Sequence, residues 1–113
     1  MTVTLYHNPR CSKSRRALEL LQAHGVEPVV VEYLKTPPAA DELRRILKLL
    51  GMTARQLLRA KESAQAGLDN PALDEAALIA AMVAHPAVIE RPIAVSATAA
   101  RLGRPPERVL EIV

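Results

Sequence analysis

The chain has 113 residues, half of them hydrophobic, with two tyrosines as its only aromatic side chains, a single cysteine and a net charge of +3. That length suits one domain, and its core has to be built from Leu, Ile, Val, Ala and Met. One cysteine excludes an internal disulfide framework, no basic block is interleaved with aromatics as nucleic-acid binding would ask, and no apolar run is long enough to span a membrane.

Residues 2–7 alternate, with Val3, Leu5 and His7 on one face and Thr2, Thr4 and Tyr6 on the other, which predicts a strand. Asn8-Pro9 breaks it, and a helix is expected over 12–23, with Ala17, Leu18 and Leu21 inward and Gly25 placed to end it. Residues 28–34 carry Val29-Val30-Val31, a β-branched run that reads as a buried strand. A helix between two such strands makes them parallel.

Thr36-Pro37-Pro38 is expected to open the next helix, whose stripe is Leu43, Ile46, Leu47 and Leu50 and which Gly51 ends. A short helix over 53–61 with Thr53 as N-cap follows, then a turn-rich stretch over 62–73. Asp74 is placed to cap a helix over 75–84, and Pro86 stops it. Val88-Ile89 and Ile93-Ala94-Val95 read as a strand interrupted by Arg91-Pro92, paired as a hairpin with 100–102. Gly103-Arg104-Pro105-Pro106 then opens a terminal helix carrying Val109, Leu110 and Ile112.

The order is β-α-β, then helices, then β-β-α. This predicts an α/β chain with a thioredoxin/glutaredoxin-like fold, a single domain over 1–113 with a helical insertion at about 39–85.

Cys11 falls where the first strand turns into the first helix. A thiol there meets unpaired backbone N–H groups and the positive end of the helix dipole. His7, Arg10, Lys13, Arg15 and Arg16 lie within five residues of it. Both features favour the thiolate, which is the nucleophile. The tetrapeptide is Cys11-Ser12-Lys13-Ser14, with Ser14 where a Cys-x-x-Cys motif has its second thiol. An intermediate on Cys11 therefore has to be resolved by an external thiol, for which glutathione is the abundant candidate. The cysteine-phosphatase spacing Cys-x5-Arg is absent, since Arg15 and Arg16 fall too close to the cysteine.

The stretch from Tyr6 to Arg15, Tyr6-His7-Asn8-Pro9-Arg10-Cys11-Ser12-Lys13-Ser14-Arg15, resembles the start of the glutaredoxin-coupled arsenate reductases. The resemblance continues through Tyr33-Leu34-Lys35-Thr36-Pro37-Pro38, Leu57-Leu58-Arg59, His85-Pro86, Glu90-Arg91-Pro92-Ile93 and Leu102-Gly103-Arg104-Pro105-Pro106-Glu107. It implies that Cys11 attacks arsenate and that Arg59, Arg91 and Arg104 hold the oxyanion. It implies further that His7 favours the thiolate, that Ser14 bonds the sulfur or the oxyanion, and that Arg91-Pro92 is a cis peptide facing the thiol. Glutathione is then the co-substrate and glutaredoxin the partner that clears the mixed disulfide. The implied role is arsenic detoxification, with no bound cofactor. The single cysteine points to the reducing cytoplasm, one cysteine and three scattered histidines make no metal site, and a monomer is expected. The start of the chain, Met1-Thr2-Val3-Thr4, carries no charged segment followed by an apolar one and agrees with that location.

Rigid, permanently charged bidentate donors suit a tetrahedral oxyanion, and they offset the repulsion that an approaching thiolate meets. Two other readings share this fold. One is a partner-binding protein of the transcription-regulator kind. The other is a thiol oxidoreductase acting on another oxyanion or on a glutathione mixed disulfide.

Overall fold

The N-terminal alternation becomes strand β1, Thr4–His7, in a computed structural model that describes residues 2–113. Helix α1, Ser12–Ala23, follows it. The helix ends in a Schellman turn: Val26 N–H donates to Leu21 O at 2.9 Å and Gly25 N–H to Gln22 O at 3.0 Å, with Gly25 at φ +76°. A side chain at that φ would clash with its own backbone, so glycine is the residue that closes the helix there. Strand β2, Val29–Glu32, then pairs parallel to β1, and Thr4 stands opposite Val29.

Strands β3, Ile93–Val95, and β4, Ala100–Leu102, complete a sheet of order β2-β1-β3-β4. Both β1–β3 and β3–β4 are antiparallel. On one face, Val3, Leu5 and Ala94 meet Ala17 and Leu21 of α1 and Val109 and Ile112 of the C-terminal segment. This is the thioredoxin-like arrangement, with the helices between β2 and β3 inserted in sequence between its halves.

The chain divides into two compact units, one formed by the chain up to Thr36 with Arg91–Val113, the other by Pro37–Glu90. In the second, α2, Ala40–Leu50, buries Leu43, Ile46 and Leu47, and α4, Glu75–Ala84, buries Leu78, Ile79 and Met82. Asp74 caps α4, its Oδ1 accepting the Ala77 N–H at 2.8 Å. Among the described residues no helix is long and apolar enough to cross a membrane.

Several expectations fail locally. β2 is an edge strand and not a buried one: Val29 and Val30 are 54% and 41% exposed, because β-branched residues suit a pleated strand whether or not both faces are covered. Pro37 and Pro38 precede α2, which starts at Ala40 with Ala39 as N-cap. The helix expected over 53–61 is broken. A 3₁₀ turn, Arg55–Leu57, is followed by extended Leu58 and Arg59, and α3, Ala60–Gln65, occupies part of the stretch read as turns. Backbone pairing explains the break, since Leu58 forms an antiparallel bridge with Ile89. Ala54, not Thr53, is the N-cap of that turn, and Thr53 Oγ1 accepts the Gln56 N–H at 3.2 Å from one position earlier. Val88 belongs to a 3₁₀ turn, Pro86–Val88, and not to a strand. The terminal helix, Pro106–Ile112, is 3₁₀, which puts buried Val109 and Ile112 one turn apart on a single face.

Candidate active site

The turn that delivers Cys11 is tied at both ends. Arg10 N–H donates to Asn8 Oδ1 at 3.0 Å, an Asx turn, and Cys11 N–H donates to Asn8 O at 3.0 Å. The Arg15 guanidinium reaches back to Pro9 O at 2.8 Å. Cys11 itself is the N-cap of α1, extended at φ −92°, ψ 122°, and its carbonyl accepts the first helical N–H, from Arg15, at 3.0 Å. Its side chain closes no capping bond, and the thiol is free and partly exposed.

Several influences act on that thiol. Partial burial is the largest and pushes its pKa up. Against it work the Ser14 backbone N–H, a hydrogen bond from the Arg91 side chain, the Lys13 backbone N–H and the Arg91 charge. Together they prevail, and the Cys11 pKa is lowered from the ordinary thiol value. This is the helix N-terminus acting on an anion, reinforced by one guanidinium.

His7 and Ser14 form a buried pair behind the sulfur. His7 Nδ1 lies 2.6 Å from Ser14 Oγ, and the same oxygen accepts the Asn8 N–H at 3.0 Å. Burial lowers the His7 pKa; Glu32 opposes that shift and Arg15 adds to it. The ring is therefore neutral at neutral pH. Which of the two donates depends on the ring tautomer, and either way the hydroxyl oxygen ties His7 to the Asn8 N–H. Ser14 also acts on the Cys11 sulfur through its backbone N–H.

Arg91 and Arg104 sit together at the β3 and β4 ends. Arg104 Nε donates to Arg91 O at 3.0 Å. The expected cis Arg91–Pro92 bond is present, and Arg104–Pro105 is a second. Gly103 N–H donates to Pro92 O at 2.8 Å, and a Cβ at Gly103 would meet Pro92 Cγ at 2.7 Å. Arg91 Nε is buried and makes no hydrogen bond among the described residues. A buried guanidinium nitrogen of this kind is suited to an acceptor brought by a ligand.

Arg59 belongs to the Pro37–Glu90 unit, where it precedes α3. Its Nε donates to Glu62 Oε2 at 3.0 Å and its Nη1 lies 3.5 Å from Glu90 Oε1. The two carboxylates, Asn8 and Gly103 are partners that sequence reasoning did not single out. Asn8-Pro9, a turn signal next to the cysteine, and the i,i+3 spacing of Arg59 and Glu62 were the local clues. Among the described residues no three His, Cys, Asp or Glu side chains gather as a metal site.

The ArsC family model matches residues 6–112. The chain belongs to the ArsC family. An Escherichia coli relative, "Uncharacterized protein YfgD", is 57% identical over 114 residues, covering 98% of this chain and 96% of its own. Another from Rhizobium meliloti, "Arsenate reductase", is 45% identical over 115 residues, covering 100% of this chain and 82% of its own. A solved structure, "Arsenate reductase from Vibrio cholerae", superposes with a TM-score of 0.95 at 47% identity, covering 100% of this chain and 98% of that one. The ArsC-family match spans all of the residues that carry the sequence resemblance, Cys11 and the three arginines included.

Proposed function

We propose that this ArsC-family chain is an arsenate reductase, with Cys11 as nucleophile and glutathione and glutaredoxin as the reducing system. One observation carries the reading. The Cys11 sulfur stands at the N-terminus of α1, facing the Ser14 and Lys13 N–H groups and the Arg91 guanidinium. Two similar proteins named arsenate reductase support it.

The chemistry follows in three steps. The Cys11 thiolate attacks arsenic; an S–As bond forms, an As–O bond breaks, and that oxygen leaves as water. The glutathione thiolate then attacks the Cys11 sulfur; an S–S bond forms, and the electron pair of the broken S–As bond stays on arsenic. Arsenic(V) becomes arsenic(III) and departs as arsenite, while two thiols are oxidised to a mixed disulfide. A glutaredoxin thiol takes over the glutathionyl group and frees Cys11.

Arg59, Arg91 and Arg104 hold the oxyanion and offset its charge against the thiolate. Arg91 Nε is a buried donor suited to one of its oxygens. His7 and Ser14 hold the turn so that the Ser14 N–H stays aimed at the sulfur. A cleft of about 240 Å³, with Arg10, Lys35 and Glu32 on its walls, presents both charge signs to a zwitterionic peptide thiol such as glutathione. The reaction calls for no resident cofactor, and a monomer suffices.

The test is arsenite production from arsenate with glutathione and glutaredoxin, in the wild type and in Cys11→Ser. Turnover that disappears in the variant supports the reading. A folded wild type with a reactive Cys11 and no turnover transfers the assignment to another substrate or to a regulatory protein.

A further inference from the structure

The Cys11 turn leaves β1 with a different neighbour on each side. The sheet order sets β2 on one side of β1 and β3 on the other. His7, the last residue of β1, stands opposite Glu32, and Tyr6 stands opposite Ile93, two residues after Arg91. Arg91 reaches the Cys11 sulfur from the β3 side. Arg104, just past β4, donates from Nε to Arg91 O and stays on that side. The cleft of about 240 Å³ opens on the β2 side, walled by the 7–10 turn and by Glu32, Leu34 and Lys35.

Substitution at sulfur is collinear: the incoming thiolate approaches opposite the bond that breaks. An arsenic atom bonded to Cys11, with its oxygens on Arg91, directs the S–As bond toward β3. The attacking thiolate then has to come from the β2 side, where the cleft lies. The charges of the cleft fit glutathione. That tripeptide carries two carboxylates and one ammonium at neutral pH, and the cleft presents two cations, Arg10 and Lys35, and one anion, Glu32. Glu32 and Lys35 lie 3.5 Å apart with side chains 44% and 78% exposed, a loose pair that yields readily to a ligand bearing both signs. Exposed Leu34 gives the methylenes of the tripeptide an apolar contact.

We infer that this cleft is the glutathione site, set on the opposite side of β1 from the oxyanion, with Glu32 taking the ammonium and Arg10 and Lys35 the carboxylates. The inference rests on the thiol chemistry of the proposed function and adds the side from which the thiol enters. The glutathione thiolate attacks Cys11 Sγ from the β2 side and an S–S bond forms. The S–As bond breaks with its electron pair on arsenic, and arsenite leaves toward β3. Thiol and oxyanion sites are separate, and both can be filled at once.

The experiment uses S-methylglutathione, which keeps the charges of glutathione and has no thiol to react. Its binding is followed by NMR shifts of the backbone amides, with and without inorganic phosphate as the oxyanion, whose own binding is read at the Arg91 amide. Shifts at Glu32, Leu34 and Lys35, with an affinity that saturating phosphate leaves unchanged, support the inference. Phosphate that displaces S-methylglutathione puts both ligands on one side and overturns it, as does a wild type that binds no S-methylglutathione. Glu32→Gln should weaken binding about three- to fivefold, the size of one exposed ion pair. Acetylating the ligand's amine removes the ammonium and should cost the wild type the same factor and Glu32→Gln nothing. Equal costs in the two proteins overturn the role of Glu32, and the phosphate comparison in the wild type stands without any variant. Arsenite production by a wild type in which phosphate displaces S-methylglutathione sinks this inference alone. A wild type that binds S-methylglutathione in the cleft beside phosphate and makes no arsenite loses the proposed substrate and keeps the thiol site. One whose Arg91 amide responds to neither phosphate nor arsenate, and which makes no arsenite, removes the proposed function and the inference with it.

Discussion

Gly103 and Pro92 pack so closely that a Cβ on the glycine would lie 2.7 Å from Pro92 Cγ and 3.1 Å from Val109 Cγ1. Neither neighbour can swing away, because Pro92 is a ring fused to the backbone and Val109 belongs to the buried cluster under the sheet. Gly103→Ala is expected to cost about 1–3 kcal/mol, the usual range for overpacking a tight site. The displacement would fall on Arg91 and Arg104, which flank the contact. Urea unfolding checks the stability loss, and an alanine variant as stable as the wild type would contradict the packing argument.

Arg91 acts on the Cys11 sulfur both as a hydrogen-bond donor and through its charge. Cys11 alkylation followed against pH should therefore show a midpoint below that of an ordinary thiol. Arg91→Ala should move the midpoint up, though not fully, since the Ser14 and Lys13 N–H groups belong to the backbone and stay. A midpoint that does not move in Arg91→Ala would mean the helix N-terminus alone sets the thiolate.

Periodicity and punctuation made much of the fold legible. The alternation around Leu5, the Gly25 stop and the Asp74 cap each correspond to a local interaction in the structure. What stayed hidden was set by distant backbone. Leu58 and Arg59 leave the helix because Ile89 and Val88 pair with them, and nothing in the 53–61 stretch announces that. The exposure of Val29 and Val30 likewise depends on β2 standing at the sheet edge, which strand propensity cannot reveal. At the candidate site, Cys11 was legible because strand, turn and helix are contiguous there. The Glu90 carboxylate on Arg59 was not, since Glu90 lies 31 positions away in sequence and meets it only through the Leu58–Ile89 bridge.

Asp74 anchors the second unit's longest apolar helix face after α2. Its Oδ1 accepts the Ala77 N–H at 2.8 Å, one of the donors that a helix N-terminus leaves unpaired. Asp74→Ala is expected to destabilise the protein by about 1 kcal/mol, whereas Asp74→Asn, which keeps the acceptor, should cost much less. The comparison is read from urea midpoints at neutral pH. Equal losses in both variants would mean that the helix dipole, not the hydrogen bond, is what the carboxylate serves.

His7 gives the protein a stability that depends on pH. Burial is the main cause of its lowered pKa, so the folded state prefers the neutral ring, and Ser14 Oγ at 2.6 Å from Nδ1 is its fixed partner. The unfolded chain takes up a proton as pH falls through the ordinary value of 6.5, while the folded chain resists until a lower pH. Between those two points the unfolded state binds more protons, and stability must fall as pH falls. The contribution is fully present above the ordinary value and is lost on acidification through the folded one. Melting temperatures recorded downward from pH 7.5 should thus decline in the wild type from around pH 6.5. His7→Gln, which cannot titrate, should start lower at pH 7.5, having lost the buried ring and its packing, and should show a shallower decline across the same window. A His7→Gln profile parallel to the wild type would place the acid sensitivity elsewhere in the chain.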